Sequence, residues 1–572
     1  MQEQLELGLS NISTLVLELT GNPWTDFGIV SLCEELRSAS FSCNVKLTPY
    51  EAMITIDAVN LDKFEEWMDQ MLRARWNQLY WLSRGAKILG RGRSSLRYNE
   101  GYVDRDNSQM PITDGDREQI KEKWKNSNIR DTMALTQLRS NFIGINGNAD
   151  KFRTEQQANI REFIENWQNP VGKKVCEMSG RTTAKPKKLL QVVNPFATKH
   201  HNTKARGAHS SSTNPTVGQL YYLISLCATL DKDIPFSVNT AKRITRLILP
   251  DIQDLGLLTK VYARLKGNLK DLDQPKELWT FTNLRTMFGS SNRYSLAISL
   301  FHNIFYEFTP SDDEENEGEW DFSSLVEQTT EAVKQLTRWV IIPFTKGQSV
   351  IFQNFHTVEM DTRLYDFIKP IDFTPRPIQL VPDILVRMSS RTPDGENALG
   401  QISQAIATST PSLMKIALFN LWKHQDAVLI SPQRGAPHPA RLLQPFINHF
   451  LEVNKVLDEK LREDLRAIGT TIGTIFYRDV TLISKLFNIS SVNAFREALN
   501  TVMFRLYKFS TGEDANKTVP VKQERIDHIL NELTDGNYKE IAETLSTYVC
   551  LNAYNAKVFE SKSDNGGSQN EK

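Results

Sequence analysis

Residues 173–206 constrain this chain more than any other stretch, because they cannot build a core of their own. Between Lys173 and Arg206 stand nine Lys or Arg residues and a single acid, Glu177. Hydroxyls, Gly180, two prolines and the pair His200–His201 fill the spaces, and only Leu189–Val193 reads as a buried strand. So little apolar surface cannot offset the entropy lost on ordering, and folded neighbours have to hold the segment. It reads as a basic loop with a short strand, carried between domains and suited to an anion; a solvated basic linker is the simpler alternative.

The whole chain has 68 basic and 68 acidic residues, so net charge says nothing about a partner. Its distribution does. Residues 1–80 carry 5 basic and 12 acidic side chains, whereas residues 81–210 carry 24 and 13. A neutral chain with one basic portion points to a local polyanion site. Five scattered cysteines (33, 43, 176, 227, 550) form no close pair, against a disulfide framework. The start has no secretory pattern, and no run approaches the ~20 apolar residues of a membrane span. The expectation is a cytoplasmic protein with no membrane partner.

Thr14–Leu19 reads as a strand broken at Gly21-Asn22-Pro23-Trp24, after which Thr25 or Asp26 caps a helix to about Ser38. Phe41–Leu47 and Met53–Ala58 read as strands, and Asn60 opens an amphipathic helix to about Ser83. Arg84, Lys87, Arg91, Arg93 and Arg97 then alternate with Gly and Ser, which leaves room for phosphate contacts. Phe142–Asn148 is a Gly/Asn turn ahead of a helix over 149–167. Asn146 and Asn148 there can reach base edges, and Arg139 can hold a flanking phosphate. Gly144-x-x-Gly147 resembles the clamping loop of K-homology domains and equally fits an ordinary turn. Lys185, Lys187, Lys188, Lys199, Lys204 and Arg206 form the second basic group.

Residues 216–308 read as mostly helical, 311–321 as an acidic surface loop, and 366–396 and 431–445 as proline-rich connections. From Phe446 through Phe450, Val453, Leu457, Leu461, Leu465 to Ile468, apolar residues recur at three and four, enough for one bundle helix. Further helices are expected over 471–487, 493–509, 522–534 and 537–558, with a disordered tail from Ser561. The expected fold is α+β: a mixed N-terminal α/β domain with basic loops (1–170), a basic loop region (171–215), a mostly helical middle (216–440), an all-α bundle (441–560) and a tail (561–572).

Catalytic signatures are absent: no phosphate loop, no H-E-x-x-H, no G-x-S-x-G elbow. Cys176 with His200, His201 and His209 could hold zinc, but the set lacks the close pair that such sites usually contain. Histidines near phosphate or in solvent suit the basic setting better. No catalytic residue, cofactor or metal is therefore expected.

Leu19–Ile29, in which G-N-P-W-x-D-x-G opens a helix, resembles the N-terminus of large subunits of type I CRISPR surveillance complexes (Cascade), particularly the A and B subtypes. Cys176-x-x-Ser-Gly180 followed by Asn194-Pro195-Phe196 is similar to a cysteine-containing segment and Pro-Phe element of that family. The helical C-terminal part looks like the small subunit of the same complexes. The resemblance implies a non-enzymatic subunit beside the 5′ end of a CRISPR RNA, reading a protospacer-adjacent motif in target double-stranded DNA and stabilising the R-loop. It implies as partners the backbone and 5′-handle-binding subunits, a small subunit, and a downstream helicase-nuclease or transposition proteins. Guide pairing would carry target sequence, so the protein would hold backbone and read a few base pairs. The rival classes are a metal-dependent nuclease using Cys176, His200, His201 and His209, and a helical scaffold that binds no nucleic acid.

Overall fold

The computed structural model describes residues 12–72, 74–75, 101–103, 109–111, 149–168, 236–239, 244–267 and 292–302, together with 172–231 and 337–566 apart from breaks. The chain is α+β and divides into two compact units, Met1–Leu284 with Asn303–Val358 and Arg285–His302 with Glu359–Lys572.

The first unit begins with β1 (Ile12–Glu18), α1 (Pro23–Arg37), β2 (Cys43–Leu47) and β3 (Glu51–Asp57). The strands pair antiparallel in the order β1–β3–β2. Ala52, Ile54 and Ile56 of β3 alternate into the core, as do Leu15 and Leu17 of β1. α1 is capped by Asn22, whose side chain accepts from the amides of Trp24 and Thr25, not by Thr25 or Asp26. Pro23 explains the difference, since a proline at the first helical position has the helical φ and lacks a donor to leave unsatisfied. A helix α2 (61–72) buries Phe64, Met68 and Leu72. A short hairpin, β4 (Gly101–Val103) and β5 (Gln109–Pro111), and α3 (Ala149–Gln168) follow.

The basic stretch contributes two small hairpins: β6 (Lys174–Val175) with β7 (Thr182–Thr183), and β8 (Lys187–Lys188) with β9 (Thr216–Val217). Its strand is thus Lys187–Lys188 rather than Leu189–Val193. Leu189 and Val193 are buried, but Asn194 N–H bonds to Leu190 O and turns the chain there. α4 (Gln219–Leu230) packs on α1 so closely that a Cβ on Gly28 would collide with the Ile224 carbonyl.

Residues beyond 216 are less helical than their periodicity implies. β10 (Phe236–Asn239) and β11 (Ile244–Pro250) precede α5 (Leu255–Gly267) and join β12 (Arg338–Lys346), β13 (Val350–Phe352) and β14 (His356–Glu359) in one sheet. The run ITRLILP fits helix or strand until its partner is known, and that partner is distant: Ile248 lies opposite Ile341. One ionic cluster is buried in this unit. Asp231 accepts from Ser31 Oγ and from Tyr262 OH at 2.6 Å, and the Arg75 guanidinium lies 3.6 Å away. Arg75 also donates to Ser31 Oγ at 2.8 Å, Cys227 O at 3.1 Å and Glu35 at 3.0 Å.

The second unit comprises α6 (Arg293–His302), the hairpin β15 (Met388–Ser390) with β16 (Val428–Ile430), α7 (Pro393–Ala407), α8 (Pro411–Lys423) and then the bundle. The bundle helices are α9 (Pro439–Val453), α10 (Glu459–Ile475), α11 (Val480–Phe487), α12 (Val492–Ser510), α13 (Gln523–Glu532) and α14 (Tyr538–Gly566). Pro393, Pro411 and Pro439 each begin a helix. The seam from Phe446 to Ile468 is two helices, not one. Lys455 and Leu457 take φ of 52° and 58°, and Asp458 restarts the helix by accepting from Leu461 N at 2.9 Å. The span 471–487 is split likewise, with Asp479 capping α11. α14 runs on to Gly566, past its expected end at 558 and into the expected tail from Ser561.

α14 is the axis of this unit, packed by α8, α9, α10 and α11. Against α10 the contact is backbone to backbone: a Cβ on Gly469 would stand 2.5 Å from Tyr548 Cβ, and one on Gly473 2.5 Å from Val549 O. α8 buries Met414, Leu418, Leu421 and Trp422. Four such side chains represent about 1.5–3 kcal/mol each, comparable with a domain's net stability of roughly 5–15 kcal/mol. A fragment 440–572, which lacks α8, is therefore expected to lose cooperative melting, while 359–572 retains it. Circular dichroism of the two fragments decides this, and equal melting would remove α8 from the bundle core. Among the described residues, no helix is long and apolar enough to cross a membrane.

Candidate nucleic-acid interface

Gly21, at φ 70°, turns the chain from β1 into α1, and the first turn of α1 is then buried. Trp24 Nε1 donates to Val193 O at 2.9 Å and Ser225 O at 3.1 Å. The Asn194 amide reaches Thr25 Oγ1 at 3.2 Å, Asn22 Oδ1 at 3.4 Å and Ser225 Oγ at 3.5 Å. Asn194 Oδ1 in turn accepts from Phe196 N at 3.0 Å, and Phe196 packs edge-on against Phe355. The G-N-P-W-T-D-F-G and N-P-F stretches thus form one joint, which fixes residues 193–196 of the basic segment to α1 and α4.

Asp26 closes that joint from behind. Its Oδ1 accepts from Thr20 N at 2.8 Å and Thr20 Oγ1 at 2.7 Å, while Oδ2 is buried with no hydrogen-bond partner among the described residues. Burial pushes the carboxyl up to about 7, against the lowering effect of the Thr20 bonds.

The beginning of the basic segment is held differently. Cys176, 2% exposed, lies under the β6–β7 hairpin, whose turn uses Gly180 at φ 68°. A cleft of about 520 Å³ opens here between Thr14–Val16 of β1, Arg181–Thr183 and the start of α4. The described strands leave this side of β1 unpaired. Tyr221 lines the cleft, and its hydroxyl is buried with no hydrogen-bond partner among the described residues.

The lysines divide into two groups. Lys185 pairs with Glu162 at 3.1 Å, and Lys187 with Glu155 at 3.8 Å while lying 5.1 Å over the Tyr222 ring. Glu155 and Glu162 are seven residues apart, hence on one face of α3. Arg181 pairs with Glu18 at 2.6 Å. Lys173, Lys174 and Lys188 are exposed with no ion-pair partner among the described residues. Exposed pairs of this kind contribute only about 0–1 kcal/mol, so a phosphate can compete for Lys185 and Lys187.

Of the residues expected from sequence, the structure brings together Lys185, Lys187 and Lys188, and it adds Lys173, Lys174 and Arg181. Arg84, Lys87, Arg91, Arg93, Arg97, Arg139, Asn146, Asn148, Lys199, Lys204 and Arg206 lie outside the described residues, as do His200, His201 and His209. Among the described residues no group of His, Cys, Asp and Glu could hold a metal. The two acids of α3 were missed; their i, i+7 spacing on a charged helix was the available signal. A scan against protein-family models and a search of curated proteins both find no match for this chain.

Proposed function

We propose that this chain is a non-catalytic subunit of an RNA-guided CRISPR surveillance complex, holding guide RNA and target DNA by their backbones and reading a short motif in the duplex. The observation that supports this reading is the joint: two stretches that separately resemble the large subunit, Asn22–Gly28 and Asn194–Phe196, bond to one another. Because the joint is buried, it acts as a scaffold, and contact with nucleic acid falls to the lysines that it carries. Those at β6 and β8 are exposed or weakly paired, and they precede the remaining basic residues of the segment. The partners are a CRISPR RNA, target double-stranded DNA, the backbone, 5′-handle-binding and small subunits, and a downstream helicase-nuclease or transposition proteins.

The test is a salt series on the assembled complex with Lys185, Lys187 and Lys188 replaced by Ala. Log affinity for duplex DNA falls with log salt by about 0.9 per neutralised phosphate, so each lost contact flattens the slope by that amount. Weaker binding of every sequence alike, with a flatter slope, is expected. Unchanged affinity and slope would take this cluster out of the interface, and failure of the chain to join guide RNA at all would overturn the reading.

A further inference from the structure

The second unit holds a cleft of about 570 Å³ that the proposed function does not use. It exists because α10 has two different faces. Gly469 and Gly473 press against α14, whereas Arg466, Thr470 and Thr474 recur every four residues along the cleft, with Thr471 beside them. Lys522, the residue before α13, and Arg525 in its first turn bring two more positive charges.

Among the described residues, the lining carries three cations and no carboxylate. Glu463 approaches Arg466, and Asp464 approaches Arg525, only to 3.6 Å in each case. Asp464 makes its closer bond elsewhere, with His528 Nδ1 at 2.8 Å. Both guanidinium groups therefore keep donors for a stronger acceptor. Asn552, 9% exposed, donates to Thr470 Oγ1 at 3.2 Å and Gln444 Oε1 at 3.3 Å, which makes one wall polar. Ile475 and Val521 supply apolar lining.

We infer that this cleft binds a nucleoside phosphate. Arg466, Arg525 and Lys522 take the phosphate, for which guanidinium forks are well shaped. Thr470, Thr471 and Thr474 offer hydroxyls to the sugar or base edges, and Ile475 and Val521 pack against the base. The volume falls within the roughly 300–1,000 Å³ of small-molecule sites. The same group can come from a free nucleotide or from one nucleotide of a single strand. This inference does not rest on the guide-complex reading and can stand or fall without it.

The test uses the full chain and two fluorescent probes, labelled AMP and a labelled short single-stranded DNA. Two variants are compared with the parent: Arg466→Ala/Arg525→Ala, and Lys522→Glu, whose exposed position spares the fold. Each variant side chain removes a charge-assisted bond, so the double variant is expected to bind at least about 10-fold more weakly. Lys522→Glu is expected to weaken binding in the same direction, and unlabelled adenosine to compete poorly against AMP. Binding of AMP identifies a free-nucleotide site, and binding of the strand alone identifies a strand contact. If neither probe binds, or if both variants bind as the parent does, the inference is wrong.

Discussion

An Arg75→Met chain is expected to lose about 3–5 kcal/mol of stability in its first unit, the usual result of removing one partner from a buried ion pair. Burial opposes the charge of Arg75, but Asp231 together with Cys227, Tyr262 and Glu35 outweighs it, so the guanidinium pKa is raised. Without Arg75, the Asp231 carboxylate loses its guanidinium, while the hydroxyls of Ser31 and Tyr262 still donate to it. The cluster joins α1, α4 and α5, so the loss should appear as faster hydrogen exchange in all three helices. Adding Asp231→Asn removes the stranded charge and leaves an acceptor for both hydroxyls. The double variant is therefore expected to recover most of the loss, since neutral replacements for buried pairs are often well tolerated. A single-variant loss below ~1 kcal/mol would show that the site relaxes or hydrates, contrary to this account.

The second large effect depends on pH. Asp26 has its pKa raised from 3.8 to about 7. A group whose folded pKa exceeds its unfolded value contributes stability that is complete below the unfolded pKa and is lost as pH rises through the folded one. The window here runs from about 4 to about 7, and the lost contribution is on the order of 4 kcal/mol. Asp251 is the charged neighbour, and it too raises the pKa. Asp26→Asn preserves the acceptor for Thr20 and cannot ionise. Subtracting the urea stability of the variant from that of the parent cancels the titration of other carboxylates. The difference is expected to turn against the parent as pH rises from 4 to 7 and then level off. A difference that is flat across this range would mean that Asp26 ionises normally, with water at Oδ2.

The α+β class, α1, the first three strands and the bundle were legible because each leaves a local periodic pattern. The two breaks within the bundle were less so. The apolar spacing continues through Leu457, and only the backbone at Lys455 and Leu457 reveals the turn. The sheet from β10 to β14 needs pairing between distant segments, which no window of residues contains. The joint shows the same limit. Trp24 and Asn194 stand out as unusual residues, but the bonds from Trp24 to Val193 and from Asn194 to Thr25 each span 169 residues. A charge run leaves its partners unstated as well: Lys185 and Lys187 belong to a basic stretch in sequence and face acids of α3 in space.

The reach of Trp24 also sets a timetable for synthesis. Its indole has both of its acceptors only when Val193 and Ser225, 169 and 201 residues downstream, have been made. At about 5–20 residues per second, the ribosome takes on the order of 10–40 s to get there. Throughout that interval the nascent chain carries an apolar α1 whose partner helix does not yet exist. The first unit is therefore completed late in synthesis, once α4 exists to cover α1.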